Sequence, residues 1–164
     1  MKNDPLDRLA ACHERIEAQL AALERLTPHL QARGCDAEAR EAARVVLRYF
    51  DTSGALHHRD EDEDLFPLLR ELAAAQGRSE IAAAIGDLER EHATMHALWS
   101  ALRKGLESVV LGKGRLEAGD VERFAWLYRR HMDREAAAVL PFAREALSAG
   151  QRAALGERMD RRRA

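Results

Sequence analysis

The sequence predicts an all-α fold, an up-down-up-down four-helix bundle followed by a short C-terminal helix. Its 164 residues contain only 4 Pro, 10 Gly and 5% aromatic residues, while Ala, Leu, Glu and Arg dominate, a composition typical of helical proteins. Apolar side chains recur every three or four residues along four long segments, which is the period of an amphipathic helix. Short connections between long helices favour antiparallel neighbours, and hence a bundle.

Turn and cap signals separate the predicted helices. The predicted ranges are about 5–26, 36–75, 79–110 and 120–148, with a tail helix at about 151–160. Asp4 caps the first helix before Pro5, and Pro28 is expected to end it. A break or bulge is expected at 51–54, and Pro67 should kink the second helix. We predict one domain over 1–164, with the bundle at about 5–148.

The composition excludes several classes of protein. The formal net charge is −2, so no global charge favours nucleic acid or a membrane surface as a partner. No apolar stretch reaches the roughly 20 residues of a membrane helix, and the polar N-terminus lacks the apolar stretch of a signal peptide. Cys12 and Cys35 are too few for a disulfide framework. We therefore predict a cytoplasmic protein with reduced thiols.

The strongest functional signal is a His-Glu motif that occurs twice. His57 and Glu61 are repeated as His131 and Glu135, and a proline follows ten residues after each of these histidines. On a helix, side chains four residues apart project from the same face, one turn apart. Each pair can therefore contribute two ligands to one metal site.

The first copy contains a competing pair, because His58 and Asp62 have the same spacing. The helical wheel places both pairs about equally beside the apolar stripe. In the second copy, Met132 and Ala136 stand at the positions of the competing pair. We therefore assign the ligand role to the first pair. His58 and the acids at 60 and 62–64 are expected to form a solvated face.

Seven candidate ligands fall on the predicted inward faces of the four helices. They are His13 in the first helix, His57 and Glu61 in the second, His92 and His96 in the third, and His131 and Glu135 in the fourth. Without a cation, two carboxylates buried together would each cost several kcal/mol of lost hydration. A metal cluster cancels that charge and uses neutral imidazoles as ligands. These residues therefore predict a metal centre.

The donor types favour iron, because imidazole and carboxylate together suit this metal. Zinc usually takes four ligands, so seven are too many for one zinc ion. Two octahedral irons offer about twelve coordination positions. Five are filled by the histidines, four by two bridging carboxylates and two by a bridging oxygen. One position stays open, and a small diatomic ligand fits there.

This pattern resembles the hemerythrin-like family, also called HHE cation-binding proteins. The match consists of His13, His57-x3-Glu61 before Leu65-Phe66-Pro67, His92-x3-His96 and His131-x3-Glu135. It covers about residues 5–148, and the tail at 155–162 is also similar to that of bacterial members. The resemblance implies two iron ions with an oxo or hydroxo bridge, a non-haem centre further bridged by Glu61 and Glu135. Invertebrate oxygen carriers differ by having His-x4-Asp in place of His131-x3-Glu135.

The resemblance implies two alternative activities. The first is binding of O2 or NO at the open iron position, for storage, delivery or sensing. The alternative is an oxidoreductase that turns over peroxide or nitric oxide, and no catalytic residue is assigned for it. Trp99 and Tyr128 neighbour the predicted ligands in sequence, and we expect them to serve core packing. The three arginines at 161–163 are expected to be solvated.

Overall fold

The computed structural model describes residues 4–164, and the secondary structure of this range is entirely helical. Five helical segments follow one another: α1 Pro5–Arg33, α2 37–75, α3 Ser79–Val110, α4 118–146 and α5 Ala149–Arg163. This confirms the predicted all-α helical bundle fold. Within the range described, no helix is both long enough and apolar enough to cross a membrane.

The first helix is longer than predicted. Its expected end at Pro28 was wrong, because α1 continues to Arg33. A proline inside a helix removes one backbone hydrogen bond, but the apolar stripe goes on past it through the buried Leu30. The residue after the helix is Gly34, whose φ is +67°. The N–H of this glycine donates to the carbonyl oxygen of Leu30 at 2.9 Å, the left-handed termination that glycine allows.

The described residues divide into two compact units. The first contains residues 4–14, Ala55–His92 and His131–Ala164. Its core is formed by sixteen buried apolar residues, among them Leu6, Leu9, Leu65, Phe66, Leu69, Ile85, Leu88, Val139, Phe142, Leu155 and Met159. The single domain predicted over 1–164 stays a prediction.

The second unit contains Arg15–Gly54 and Ala93–Arg130. An aromatic cluster lies within it. The Phe50 ring centroid is 5.0 Å from that of Trp99, 5.2 Å from that of Phe124 and 5.6 Å from that of Tyr128. Trp99 and Tyr128 therefore have the packing role that the sequence suggested.

Two π-helical turns stand at equivalent places, Asp60–Leu65 in α2 and Glu135–Val139 in α4. In each, the backbone N–H of the residue after the turn binds the carbonyl oxygen five residues back, which belongs to Glu61 or Glu135. A proline follows one residue later in both copies and lacks the N–H that a regular helix uses. The predicted kink at Pro67 is thus preceded by a π turn that carries a candidate ligand.

The C-terminal arginines bind the first π turn, contrary to the expectation of a solvated tail. Asp60 is fully buried, and its two oxygens accept bonds from Arg162 and Arg163 at 2.6 Å each. Arg162 also reaches Glu63 and Asp64 at 2.8 Å. The expectation that all these acids are solvated was wrong, because a buried carboxylate is retained when a cation pairs with it.

Removing this pairing should destabilise the protein. We expect Arg162→Ala combined with Arg163→Ala to lower the free energy of unfolding by roughly 3 kcal/mol, because a buried Asp60 charge would lose its partners. Urea denaturation followed by circular dichroism measures the change. Arg161→Ala is the matched control, since Arg161 is exposed, and it should change stability by no more than about 0.5 kcal/mol. Equal stability of the double variant and this control would contradict the expectation.

Candidate metal centre

Six of the seven predicted ligands come together in the first compact unit. They form two groups whose ligand atoms lie within 4.8 Å of one another: His13, His57, Glu61 and Glu135 in the first, and Glu61, His92 and His131 in the second. Glu61 belongs to both groups. The helices α1, α2, α3 and α4 each supply at least one of these side chains.

The two oxygens of Glu61 face different groups. Its Oε1 lies 2.8 Å from Nε2 of His57, and its Oε2 lies 3.1 Å from Nε2 of His92. Glu135 lies near both groups through a single oxygen, because its Oε2 is 3.2 Å from Nε2 of His13 and 3.8 Å from Nε2 of His131. This is the arrangement of carboxylates that can bridge two metal ions.

The buried carboxylates indicate that the site is built for cations. Glu61 and Glu135 are both 0% exposed, and none of their four oxygens makes a hydrogen bond of acceptable geometry. Leaving a buried polar group unsatisfied costs about 1–3 kcal/mol, and more when it is charged. Metal ions between the carboxylates and the imidazoles would satisfy these atoms, so the residues present fit a metal cluster.

The carboxyl groups have divergent pKa values in the metal-free protein. Burial raises the pKa of Glu135 to about 7, and the nearby charge of Glu61 adds to the effect. Burial also acts on Glu61, but His57 and His92 outweigh it and hold the Glu61 pKa well below its usual range. Two carboxylates that share a site are expected to separate in this way.

The two histidines of the second group, His92 and His131, also have different pKa values in the metal-free protein. Burial opposes a charge on His92, but the hydrogen bond to Asp62 and the nearby carboxylate of Glu61 outweigh it and raise the His92 pKa to about 9. Burial lowers the pKa of His131 to about 3, and the charge of His92 contributes in the same direction. Without metal, His92 therefore carries a proton at neutral pH, and a metal ion must replace that proton to bind Nε2.

Two acids that the sequence analysis did not single out orient these imidazoles. His92 Nδ1 donates to Oδ1 of Asp62 at 2.8 Å, and His131 Nδ1 donates to Oε2 of Glu91 at 2.9 Å. The Nε2 atoms consequently face each other, 3.1 Å apart. Each of the two acids is next to a candidate ligand in the sequence. Many other charged residues also lie near candidate ligands, so this position alone does not predict which acid hydrogen-bonds to an imidazole.

The structure does not place His96 with the other candidates. This residue is exposed, and the expectation that it lies on the inward face of the third helix was wrong. The buried stripe of α3 passes from His92 to Met95, which are 2% and 1% exposed. Successive helical residues are separated by about 100° around the axis, so a stripe that includes Met95 directs His96 outward.

His58 is buried, although the sequence predicted a solvated position. It is 3% exposed, its ring stacks on that of His92 with centroids 3.9 Å apart, and its centroid is 6.2 Å from that of His131. Burial holds its pKa well below the usual range, with the His92 charge acting in the same direction. The helical-wheel analysis assumed that only one narrow face of the second helix is buried. The structure buries a wider part of this turn, which includes Asp60.

A further group, His29, Asp36 and Glu38, has ligand atoms within 4.8 Å of one another but is only partly buried. Asp36 already caps α2 by accepting the N–H of Ala39 at 2.9 Å. It also binds His29 at 2.8 Å. This group therefore has a local structural role at the start of α2.

Two comparisons with known proteins show what this chain is similar to. The family model described as the hemerythrin HHE cation binding domain matches residues 4–143. A protein of Haemophilus influenzae, described as uncharacterised, is 31% identical over 162 residues. The match covers 98% of this chain and 91% of that relative.

The shared position of Glu61 leads to a prediction about metal content. Glu61→Ala should reduce the metal bound per chain more than His13→Ala does, because Glu61 faces both groups and His13 faces one. Elemental analysis of protein loaded with ferrous iron measures the content. Glu63→Ala is a suitable control, since Glu63 is exposed on the same turn. A Glu61→Ala protein with the metal content of this control would contradict the shared position.

Proposed function

This chain belongs to the hemerythrin HHE cation-binding domain family, and from that premise we propose that it is a non-haem di-iron protein that binds O2 or NO at an open iron position. Storage, delivery or sensing of the diatomic ligand would be its role. The observation that carries the proposal is Glu61, a fully buried carboxylate whose two oxygens face two separate groups of imidazoles. Mixed imidazole and carboxylate donors favour iron.

The proposed ligand set differs from the sequence-based one at a single position. One iron would be held by His13 and His57, the other by His92 and His131, with Glu61 and Glu135 as bridges. We propose that His58 completes the second group in place of His96. Support comes from its burial and from its ring contact with His92, whereas His96 is exposed.

A pair of iron ions, when bound, supplies electrons to a small diatomic ligand and a position to hold it. The chain's own contribution is to fix the donors and to keep water away from them. His57 and His131 are each 1% exposed, and the Phe66 ring is stacked beside His92 at 5.8 Å between centroids. Donors this inaccessible suit a diatomic ligand better than a large substrate.

The proposed location is the cytoplasm. The proposal is supported by a cysteine content of two, which is too low for a disulfide framework of the kind found in oxidising compartments. The absence of nucleic acid and membrane partners remains a prediction from the formal net charge of −2.

An optical spectrum of the reduced, iron-loaded protein on exposure to air tests the proposed activity. Ligand binding predicts a stable visible band that disappears when oxygen is removed and returns on re-exposure. Rapid conversion to the oxidised spectrum together with consumption of added peroxide would instead identify the oxidoreductase alternative. Glu61→Ala protein is the matched control and should show neither response.

Metal binding should stabilise the fold. At neutral pH the metal-free protein should melt at a lower temperature than the iron-loaded protein, because a ligand that binds only the folded state contributes its binding free energy to stability. This contribution is about 2.7 kcal/mol when free metal exceeds Kd a hundredfold. Differential scanning calorimetry measures both transitions. Coinciding melts would show that these side chains do not share a metal site.

The proposed ligand set is tested by three single substitutions. His57→Ala and His58→Ala should each lower the iron bound per chain, since both side chains are buried beside other ligands. His96→Ala should leave the iron content unchanged and serves as the control. Iron loss in His96→Ala with none in His58→Ala would reverse the assignment.

A further inference from the structure

Two carboxylates outside the ligand set hold the imidazoles of the second group. Asp62 accepts the Nδ1 hydrogen of His92, and Glu91 accepts that of His131. Glu91 is fixed in turn, because Nη1 of Arg134 lies 3.0 Å from its other oxygen. The side chain of Glu91 is 12% exposed and that of Asp62 is 36% exposed. Neither acid lies in the two groups around Glu61.

These bonds determine which imidazole nitrogen is free to bind metal. An ionised carboxylate can only accept a hydrogen bond, so the proton of a neutral imidazole is held at Nδ1. The lone pair is then at Nε2, which lies 3.1 Å from Glu61 in His92 and 3.8 Å from Glu135 in His131. A carboxylate at this place also fixes the ring orientation and makes the imidazole a more basic ligand.

The first group offers a contrast. The Nδ1 atom of His57 is buried, and among residues 4–164 no carboxylate hydrogen-bonds to it. The neighbouring side chain is the thiol of Cys12, a much weaker hydrogen-bonding group than a carboxylate. Among His57, His92 and His131, carboxylate support at Nδ1 is thus found at the two histidines of the second group.

We propose that Asp62 and Glu91 are positioning residues for the metal ion bound by His92 and His131, and that they act on this ion and not on the one bound by His13 and His57. The proposal rests on the proposed function, because it assumes two metal positions. It assigns a task to adjacent residues of α3: His92 binds the metal, while Glu91 orients the His131 imidazole that α4 supplies.

Titration of the metal-free full-length chain with Co2+ tests the proposal, since the visible spectrum of cobalt reports the geometry of its ligands. In Asp62→Ala and in Glu91→Ala, one of two cobalt ions should bind about 10–100-fold more weakly, which is the usual effect of removing such a partner. The other ion should keep its affinity and its spectrum. Asp133→Ala is the control, because it removes an exposed acid two residues from His131 and should change neither ion.

The conservative variants Asp62→Asn and Glu91→Gln keep an oxygen that can accept the Nδ1 hydrogen. They should lose less affinity for the same ion than the alanine variants do, which a role limited to folding would not produce. They also decide the question if the alanine variants fail to fold, since circular dichroism of the metal-free proteins reports folding separately. In that case the asparagine and glutamine variants should still bind the same ion more weakly than wild-type protein, because a neutral amide is a weaker acceptor than a carboxylate. Unaltered affinity and spectrum would overturn the proposal.

The cobalt titration distinguishes a failure of the proposed function from a failure of the role of Asp62 and Glu91. Wild-type protein that binds fewer than two cobalt ions would remove the proposed function, and this inference with it. Wild-type protein that binds two ions, with alanine variants that bind both as tightly, would overturn the role of Asp62 and Glu91 alone. Equal weakening of both ions would also overturn it, because the effect would not be confined to the second group.

Discussion

The structure of the first compact unit depends on the burial of the Glu61 carboxylate between two groups of imidazoles. Water cannot compensate its charge there, so compensation must come from cations, protons or hydrogen bonds. The helices supply imidazole nitrogens at 2.8 and 3.1 Å, yet both carboxylate oxygens remain without a well-formed hydrogen bond. The same requirement explains why His92 holds a proton in the absence of metal and why Glu135 is difficult to ionise.

The neighbouring residue, Asp60, meets the same requirement by a different means. Its oxygens are paired with Arg162 and Arg163, so its charge is compensated without metal. A single π turn therefore carries one carboxylate neutralised by the C-terminal helix and, next to it, one left for a metal ion. Pro67 follows this turn, and its counterpart follows the π turn of Glu135. The π hydrogen bonds to both glutamate carbonyls make the backbone at these ligands alike in the two copies.

Charge also organises the surroundings of the second group. Asp62 and Glu91 each accept the Nδ1 hydrogen of one imidazole, and Arg134 pairs with Glu91. Each of these imidazoles is therefore followed outward by a carboxylate, and the carboxylate of Glu91 is followed by the guanidinium of Arg134. Each member of such a chain limits the rotation of the next, which keeps ligands in place before a metal arrives. Preorganisation of this kind reduces the entropy lost on binding.

The sequence by itself determined the helical fold, most helix limits and the six candidate side chains that the structure brings together, because periodicity and a repeated His-x3-Glu motif are local properties. It failed where a residue's environment depends on distant parts of the chain. The continuation of α1 past Pro28, the burial of Asp60 by C-terminal arginines and the contacts of Asp62 and Glu91 were decided by tertiary structure. So were the burial of His58 and the exposure of His96, since i,i+4 spacing identifies a shared face but only packing determines which face is covered.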